Sequence, residues 1–471
     1  MEKQTFGIII TTRSFFPSHL VAEAREKIIT LLSNKGYGYV MVEEKDTELG
    51  AVLSYDDAKT CAKLFKDNAE KISGIIVILP NFGEETGVAD CLDLADLDVP
   101  VLIQACDDDF DNLGMENRRD AFCGKLSLCN NLYQRGIKFT NTATHTCKLD
   151  SVSFSGDIDR FASICSVVGG IKHMRIAALG ARPAAFNTVR FSEKILQNHK
   201  INVQTIDMSE VIFTAMNMAD GPIVDAKIEE IKAYGKVIGG ISEKKLKSQA
   251  KLCIIIEQFV DRYQCDCSAI QCWDSVQNNY GCATCLAMSM MGEKGKPSAC
   301  EMDVTGALTM YAFLKATGTA PAYMDWNNNV DDNRNMCITL HCSNFPKSFF
   351  KKESIEIGNL DVLATTIGSD KCFGACKAQV AEGPMTFAKI STDDKKGILK
   401  LYVGEGEFCD KTINTKGGTA LCKIEGLQSL MNYMCENGYE HHVAFVRGHV
   451  ADVIEEAFGK YIGAEVYRHR G

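Results

Sequence analysis

The sequence lacks the features that mark membrane proteins and nucleic-acid-binding proteins. No stretch approaches the roughly 18 consecutive apolar residues that a membrane-spanning helix needs, and the short apolar run near the N-terminus does not resemble a signal peptide. Basic residues are not in excess, because 51 Lys and Arg stand against 61 Asp and Glu, a net charge of −10. A phosphate-binding surface needs clustered positive charge. We therefore expect a cytoplasmic protein that binds neither membranes nor nucleic acid.

Glycine-rich phosphate loops are missing as well. The segment ALGARP, residues 178–183, follows a predicted strand but lacks the glycine spacing of a dinucleotide-binding fingerprint. The segment GEG, residues 404–406, is a turn after a strand and is too short for a phosphate loop. We therefore expect no nucleotide cofactor, which argues against a dehydrogenase.

Cysteine, by contrast, is abundant. The chain has 21 cysteines, an odd number, often within apolar runs such as KLCIIIEQF, residues 251–259. Disulfide frameworks are typical of small secreted domains, so this pattern predicts buried, reduced thiols. Cys282 and Cys285 form a C-x-x-C pair, but no second pair follows at the spacing of a zinc site. Core thiols are the favoured interpretation of this pair.

The first third of the chain predicts a parallel sheet. Continuous apolar runs at residues 6–12, 37–42, 72–80 and 99–105 predict strands, and residues 18–36 have the periodicity of an amphipathic helix. Strands with apolar residues at successive positions are buried on both faces, as in doubly wound parallel sheets. At 471 residues the chain is too long for one hydrophobic core, so further domains must follow.

Two later segments indicate what those domains are. The strand, loop, helix and strand pattern restarts at residues 173–207, whereas residues 383–408 alternate apolar and polar side chains around a turn, as in an antiparallel hairpin. We predict an α/β fold of two doubly wound parallel-sheet domains, residues 1–172 and 173–350, followed by a C-terminal antiparallel β-barrel-like domain, residues 351–471.

Acids and histidines stand where predicted strands or helices meet loops. Glu301, Asp325, His341 and the tandem His441 and His442 all occupy such borders, where a side chain faces a cleft while its backbone is held rigid. Each has an ordinary alternative as a capping acid, a turn aspartate or a core histidine. Together, two carboxylates and one or two imidazoles form a mixed oxygen and nitrogen site. Such donors suit Mn²⁺, Mg²⁺ or Co²⁺ better than thiolates would.

The segments around these residues resemble one family. They are IQCWDSVQNNYGCATC (270–285), CEMDVTGALTM (300–310), MDWNN (324–328), HCSNFP (341–346) and HHVAFVRGHVADVIEEAFGKYIGAEV (441–466). In order and spacing they are similar to the L-fucose and L-arabinose isomerase family of ketol isomerases, especially its fucose-isomerase-like branch. The resemblance extends over roughly residues 6 to 470.

The resemblance implies a metal-dependent aldose–ketose isomerase, an intramolecular oxidoreductase working through a cis-enediolate. A divalent cation, Mn²⁺ with Mg²⁺ or Co²⁺ as substitutes, stabilises the enediolate charge while a carboxylate moves the proton between C1 and C2. Glu301 and Asp325 are then both metal ligands and the acid/base pair. His442 is the favoured imidazole ligand, with His441 as its alternative, and His341 binds either metal or substrate. A homo-oligomer of trimer or hexamer type is also implied.

The substrate contacts and the substrate itself are broader expectations. The sugar is similar to L-fucose, D-arabinose or L-arabinose, or is a modified hexose. An alternative function is a non-catalytic sugar-binding or sensor protein, which needs neither Glu301 and Asp325 nor a terminal histidine. The candidate substrate-binding residues are Arg13, Gln271, Trp273, Trp326, His341 and Asn344.

Overall fold

The first apolar runs of the sequence form one parallel sheet. A computed structural model describes residues 4–342, 344–352 and 355–471, and the chain divides into two compact units, residues 1–169 and 170–471. The strands of the first sheet are β1 (Thr5–Ile10), β2 (Gly38–Val40), β3 (Ile72–Leu79), β4 (Val101–Ala105) and β5 (Thr140–Asn141). The accompanying helices are α1 (His19–Asn34), α2 (Tyr55–Asp67), α3 (Glu85–Ala95), α4 (Ala121–Gln134) and α5 (Val152–Ile171).

This sheet is buried on both faces. Its strands run parallel in the order β2-β1-β3-β4-β5. Successive residues of a strand enter opposite cores: Ile9 and Val77 belong to one apolar cluster, and Ile8 and Ile78 to another. Because side chains alternate between the faces of a strand, both faces need apolar residues. Burial of both faces of the sheet is therefore the reason for the continuous apolar runs, as the sequence predicts.

A second parallel sheet opens the second unit. Its order is β10-β9-β6-β7. The strands are β6 (Arg175–Leu179), β7 (Asn202–Ile206), β9 (Cys267–Ile270) and β10 (Ser298–Ala299), and the short β8 (Lys236–Val237) pairs elsewhere. The helices of this part are α6 (Glu193–Asn198), α7 (Met208–Asn217), α8 (Pro222–Tyr234), α9 (Glu243–Arg262), α10 (Ser275–Asn279), α11 (Cys285–Glu293) and α12 (Val304–Thr317).

The third sheet is mixed and mostly antiparallel. Its strands are β11 (Ala322–Val330), β12 (Asn333–His341), β13 (Glu356–Asn359), β14 (Phe373–Gln379), β15 (Gly383–Asp393), β16 (Ile398–Cys409), β17 (Gly418–Lys423), β18 (His442–Arg447) and β19 (Glu465–Arg468), together with β8. The remaining helices are α13 (Asp361–Ile367), α14 (Leu427–Glu436) and α15 (Ala451–Glu456).

Part of this sheet closes into a ring. Its order is β19-β16-β15-β18-β11-β12-β17-β14-β13-β8, and an additional pairing between β16 and β17 joins β16, β15, β18, β11, β12 and β17 into the ring. The predicted hairpin is β15–β16, paired from Gly383 opposite Phe408 to Asp393 opposite Ile398. The predicted fold class, two parallel sheets and then a barrel-like antiparallel one, is confirmed. The predicted domain boundaries stay predictions, and β11 and β12 belong to the third sheet.

Helix α12 connects the two sheets of the second unit. It packs against β9 of the parallel sheet and against β15 and β18 of the ring, and its residues from Val304 to Phe313 are buried. The turn before α12 is thereby fixed between the two sheets. Among the residues that the structure describes, no helix has the length and apolar character needed to cross a bilayer.

Candidate metal centre

Four of the predicted ligands converge in the second unit. Glu301 lies in the turn before α12, Asp325 on β11, His341 at the end of β12 and His442 at the start of β18. The Glu301 Oε2 atom lies 3.6 Å from Nε2 of His341 and 3.6 Å from Nε2 of His442. The Asp325 Oδ1 atom lies 3.9 and 3.5 Å from the same two nitrogens. Residues up to 141 positions apart in the sequence thus surround one small volume.

Strand pairing places Asp325 beside His442. The two residues are directly opposite in the antiparallel pair β11–β18, so their side chains share a face. His441 lies 3.7 Å from Asp325 through its Nε2 atom, with 40% of its side chain exposed. His442 is 1% exposed and approaches both carboxylates. The geometry therefore brings His442 closer to the centre of the group than His441.

The turn that carries Glu301 has an unusual backbone. Glu301 and Met302 have φ angles of 52° and 60°, in the left-handed region that non-glycine residues seldom adopt. The Met302 N–H donates to the Ile270 carbonyl at 3.1 Å, and the Glu301 N–H donates to Cys272 Sγ at 3.4 Å. Such a conformation persists only where neighbouring contacts enforce it. These contacts aim the Glu301 carboxylate at the histidines.

The donor set fits a divalent cation. Glu301 Oε2 and Asp325 Oδ1 are buried atoms without a hydrogen-bond partner among the described residues, which is costly for carboxylates unless a charge compensates them. Two donors that each lie about 2.1 Å from one cation stand roughly 3 Å apart at a right angle and up to about 4.2 Å apart on opposite sides. The separations here are 3.5 to 3.9 Å. Asp325, His341 and His442 together form a group able to hold a metal ion.

A further carboxylate holds His442 from behind. Asp303 is fully buried, and its Oδ2 atom lies 3.0 Å from Nδ1 of His442. The same oxygen accepts from the Lys389 ammonium at 2.6 Å and from the Tyr323 hydroxyl. Because an ionised carboxylate can only accept, His442 carries its proton on Nδ1. The lone pair of Nε2 is then free to face the site, an arrangement common among metal-binding histidines.

Charge and burial set the protonation of this cluster. Burial raises the pKa of the Asp303 carboxyl, but the Lys389 ammonium and His442 outweigh it and hold that pKa well below its ordinary value. Burial and the Asp303 charge raise the pKa of Tyr323 far above its usual range. Gly306 makes the contact possible, since a Cβ atom there would collide with the Tyr323 hydroxyl. The cluster is therefore a fixed ion pair within the core.

The other two imidazoles have opposite shifts. Burial lowers the pKa of His341, but the Cys342 sulfur and the carboxylates of Asp325 and Glu301 together raise it well above its ordinary value. Burial and the neighbouring His442 lower the pKa of His441. The field of the two carboxylates that favours a proton on His341 also favours a bound cation.

A cavity of about 330 Å³ opens onto the carboxylates. Trp273, Glu301, Asp325, His341 and Cys342 line one part of it. The other lining residues among those described are Leu340, Asn359, Leu360, Asp361, Val362, Leu363, Lys377, Lys416 and Gly417. A volume of this size accommodates a small organic ligand. The cavity combines acids, apolar side chains and two lysines.

Of the predicted substrate contacts, Trp273 and His341 line this cavity, whereas Gln271 and Asn344 do not. The Trp273 indole donates to Glu301 Oε1 at 2.9 Å and lines the cavity. Gln271 Oε1 accepts from the Ala181 N–H at 3.0 Å and so holds the loop after β6. Asn344 is buried, and its amide donates to the Ser298 carbonyl at 2.9 Å. The sugar contacts predicted for these residues stay predictions.

Trp326 and Arg13 have other surroundings. Trp326 follows Asp325 on β11 and so points to the opposite face, where its indole donates to the Tyr402 hydroxyl at 2.9 Å and packs on aromatic rings. Arg13 belongs to the first unit, where its guanidinium pairs with Glu85 and lies 4.3 Å from the Phe82 ring centroid. Substrate binding by either residue also stays a prediction.

The cluster behind His442 escaped sequence reasoning. Asp303 sits at the N-cap of α12, where its Oδ1 atom accepts from the Gly306 N–H at 2.7 Å. Helix capping alone therefore explains an aspartate at this position. Only the tertiary fold shows the partners of its second oxygen. The available signal was Lys389, the one charged residue in MTFAKIS, residues 385–391, because lysine is rarely buried without a partner.

Comparison with curated proteins finds relatives of one name. The chain is 21% identical over 318 residues to a sulfoquinovose isomerase from Priestia aryabhattai, covering 65% of this chain and 67% of the relative. It is 23% identical over 318 residues to one from Clostridium sp. (strain MSTE9), with 66% and 68% covered. A third, from Alkalicoccus urumqiensis, is 21% identical over 297 residues, with 62% and 64% covered.

Solved structures give only a weak likeness. The crystal structure of a glucose-galactose binding protein from Geobacillus stearothermophilus matches with a TM-score of 0.16 and 14% identity, covering 67% of this chain and 92% of that one. A likeness of this size supports neither a fold nor a ligand.

Two family models match the ends of the chain. The fucose/sulfoquinovose isomerase N-terminal domain matches residues 7–172, and the L-fucose isomerase C-terminal domain matches residues 339–470. Together they include more than half of the sequence, in the order expected for one protein. The chain belongs to the fucose/sulfoquinovose isomerase family of aldose–ketose isomerases.

Proposed function

We propose that the second unit binds a divalent cation, best Mn²⁺, through Glu301, Asp325, His442 and His341, and isomerises an aldose there. The observation that carries the proposal is the pair of buried carboxylate oxygens, Glu301 Oε2 and Asp325 Oδ1, that lack hydrogen-bond partners among the described residues and face two imidazoles. Oxygen and nitrogen donors suit Mn²⁺, with Mg²⁺ or Co²⁺ as substitutes. When bound, the cation would stabilise negative charge on the substrate oxygens at C1 and C2.

The chain's own residues would supply the proton transfer. Glu301 and Asp325 both line the cavity, so either carboxylate is able to take a proton from C2 and return it at C1, its partner acting at the oxygens. The Trp273 indole fixes one oxygen of Glu301 and leaves the other free. Asp303 fixes the ring of His442. The catalytic carboxylates are thus oriented by neighbours that do not themselves react.

We further propose that the sugar carries an anionic group away from C1. Lys377 and Lys416 line the cavity with the carboxylates. Lys377 is paired with Asp361 at 2.8 Å, whereas Lys416 has no carboxylate partner in the described part of the chain. Three relatives are named sulfoquinovose isomerase, and a sulfonated hexose would bring the anion that Lys416 lacks. Such charge-assisted contacts are stronger than neutral ones.

The metal part of the proposal is tested by removing and restoring the cation. Protein treated with a chelator should be inactive on every aldose, and Mn²⁺ should restore ketose formation. Glu301→Gln should lower kcat/KM by about 10²- to 10⁴-fold, while Glu229→Gln, the same change on the surface of α8, should not. Sugar binding without turnover in the Mn²⁺-loaded protein would instead support a sensor, the alternative function.

The substrate part is tested with a panel of sulfoquinovose, D-glucose, L-fucose, D-arabinose and L-arabinose. Sulfoquinovose should have the highest kcat/KM. Lys416→Met should raise KM for it by about 10-fold or more, the worth of a hydrogen bond to a charged group, without changing KM for neutral aldoses. Lys411→Met, an exposed lysine of the same loop, is the matched control. Preference for a neutral sugar would refute the anionic substrate and leave the isomerase proposal intact.

The quaternary structure is a separate prediction. The resemblance implies a homo-oligomer of trimer or hexamer type. Sedimentation velocity of the purified protein measures the subunit number directly.

A further inference from the structure

A cluster of thiols lies beside the carboxylate site, and the proposed isomerisation does not use it. Cys300 and Cys342 directly neighbour Glu301 and His341 in the sequence. One donor atom from each of these four residues lies within 4.8 Å of all the others. The Cys342 sulfur is 3.4 Å from Nδ1 of His341. That nitrogen is distinct from Nε2, which faces Glu301 and Asp325, so His341 borders two different environments.

Cys285 completes a triangle of sulfur atoms. The thiols of Cys285, Cys300 and Cys342 are close neighbours of one another. Cys272 is a further neighbour of Cys300, and the Met288 thioether lies 4.0 Å from the Cys300 sulfur. The sequence favours core thiols for the Cys282 and Cys285 pair, but the fold gives Cys285 partners that the C-x-x-C spacing does not indicate.

We propose that Cys285, Cys300, Cys342 and Nδ1 of His341 form a second metal site, which takes a thiophilic cation such as Zn²⁺ or Cd²⁺. Three thiolates and one imidazole are the donors of many tetrahedral zinc sites, and sulfur donors select soft cations over Mn²⁺. Each coordinating thiol releases its proton to solvent when the cation binds.

The position of the thiol cluster determines how a cation reaches it and how a bound cation affects the carboxylate site. Cys342 lines the cavity, so a cation entering with solvent meets this thiol first, while Cys285 and Cys300 are fully buried. A neutral imidazole has one lone pair, so a cation held on Nδ1 of His341 would leave the proton on Nε2 and take that nitrogen away from the carboxylate site. Two positive charges that close repel each other. Occupation of the thiol site should therefore weaken Mn²⁺ binding at the carboxylates.

The test uses Cd²⁺ as the probe, with full-length protein treated with a reductant and a chelator. Exposed thiols are first removed in a Cys123→Ser/Cys435→Ser background. Titration should then give one Cd²⁺ per chain, with the ultraviolet charge-transfer absorption of cadmium bound to several thiolates. Cys300→Ser should weaken this binding by more than about 10-fold, since even residues behind a metal ligand contribute that much. The readout does not depend on isomerase activity.

Further variants keep the result interpretable. Cys282→Ser changes a thiol that is as buried as Cys285 and should retain the absorption. Cys285→Ala should lose the absorption. In Mn²⁺ without Cd²⁺, this variant should keep its isomerase turnover. If circular dichroism shows that Cys300→Ser is unfolded, Cys285→Ala takes its place in the test. The proposal is wrong if wild type shows no charge-transfer absorption, if Cys300→Ser and Cys285→Ala both retain it, or if Cys282→Ser abolishes it.

Discussion

Two carboxylates only two residues apart have opposite surroundings. Glu301 has one oxygen bonded to the Trp273 indole and one oxygen, buried, that has no hydrogen-bond partner among the described residues. Both oxygens of Asp303 are bonded, and their partners are Lys389, Tyr323, His442, Thr305 and the Gly306 N–H. A carboxylate whose hydrogen-bonding positions are all occupied cannot also bind a ligand or take up a proton. Hydrogen-bond saturation, more than burial, separates the structural acid Asp303 from Glu301, the acid that we propose reacts.

The difference has an energetic side. Burying a charge is compensated only by good pairing, which the Lys389 ammonium supplies to Asp303 at 2.6 Å. Glu301 has no lysine or arginine partner among the described residues: beside the Trp273 indole at 2.9 Å it faces the two histidines at 3.6 Å, so without a cation its charge is poorly compensated and repels that of Asp325. We therefore expect substitution of Asp303 to have the larger effect on stability and substitution of Glu301 to have the larger effect on activity.

The largest effect on stability should come from Asp303→Asn. It leaves the fully buried Lys389 ammonium unpaired, which lowers the free energy of unfolding by about 3 to 5 kcal/mol. Glu301→Gln, measured in the same metal-free buffer, should leave that free energy unchanged or raise it. Chemical denaturation of both variants beside wild type makes the measurement. An equal loss in both would mean that Glu301 is structural too.

A double-mutant cycle sharpens this assignment. Lys389→Met alone leaves the Asp303 charge unpaired and should also be strongly destabilising. The double variant Asp303→Asn/Lys389→Met removes both charges, so its loss should be smaller than the sum of the two single losses by about 1 to 3 kcal/mol. Additive losses would contradict a direct ion pair at this position.

How much of this was predictable from sequence differs between fold and site. The runs of Ile and Val in β1 and β3 predicted buried parallel strands because both faces of each strand need apolar residues. The alternation within residues 383–408 predicted the β15–β16 hairpin, and these strands do pair, but β15 is buried at every position from Met385 to Ser391 and not at alternate ones. Local periodicity holds no information on pairing between distant strands. The ring closure through β16 and β17, and the joining of β11 to β18, therefore had to come from the structure.

The site shows the same limit. Glu301, Asp325, His341 and His442 were singled out by order and spacing, but their approach to one point depends on strand register, in which Asp325 lies opposite His442. Lys416 follows a turn-rich segment, where no periodic pattern marks a side chain for a cavity. Asp303 has an ordinary capping role that hides its long-range partners.

The pH dependence of stability gives a smaller, graded test of the Asp303 cluster. Lys389 and His442 outweigh burial and depress the pKa of Asp303 in the fold, below the ordinary value of about 3.9. Its contribution is therefore complete above about pH 4 and declines as the pH falls from there toward the folded-state pKa. The stability difference between wild type and Asp303→Asn should be constant from about pH 5 to 7 and shrink below about pH 4. A stability difference that grows in acid would mean that folding raises the pKa of Asp303 and does not lower it.

The smallest effect should follow from Trp273→Phe. The change removes the indole N–H that donates to Glu301 Oε1 at 2.9 Å and keeps an aromatic ring to pack on Phe186, whose centroid lies 5.0 Å away. A hydrogen bond to a charged group is worth about 1.5 to 3 kcal/mol, or about 10- to 150-fold. Because the carboxylate itself remains, kcat should fall by about 10-fold, the lower end of that range. Most of the effect should appear in kcat, since the bond orients the carboxylate that we propose moves the proton.

Trp326→Phe makes the same chemical change on the other face of β11. Its indole bonds to Tyr402, away from the carboxylates, so it should lower the unfolding midpoint and leave kcat nearly unchanged. Steady-state kinetics of the two variants on one substrate separate orientation of Glu301 from packing of the ring. Equal losses of kcat would show that aromatic packing, rather than the bond to Glu301, is what the active centre requires of its tryptophans.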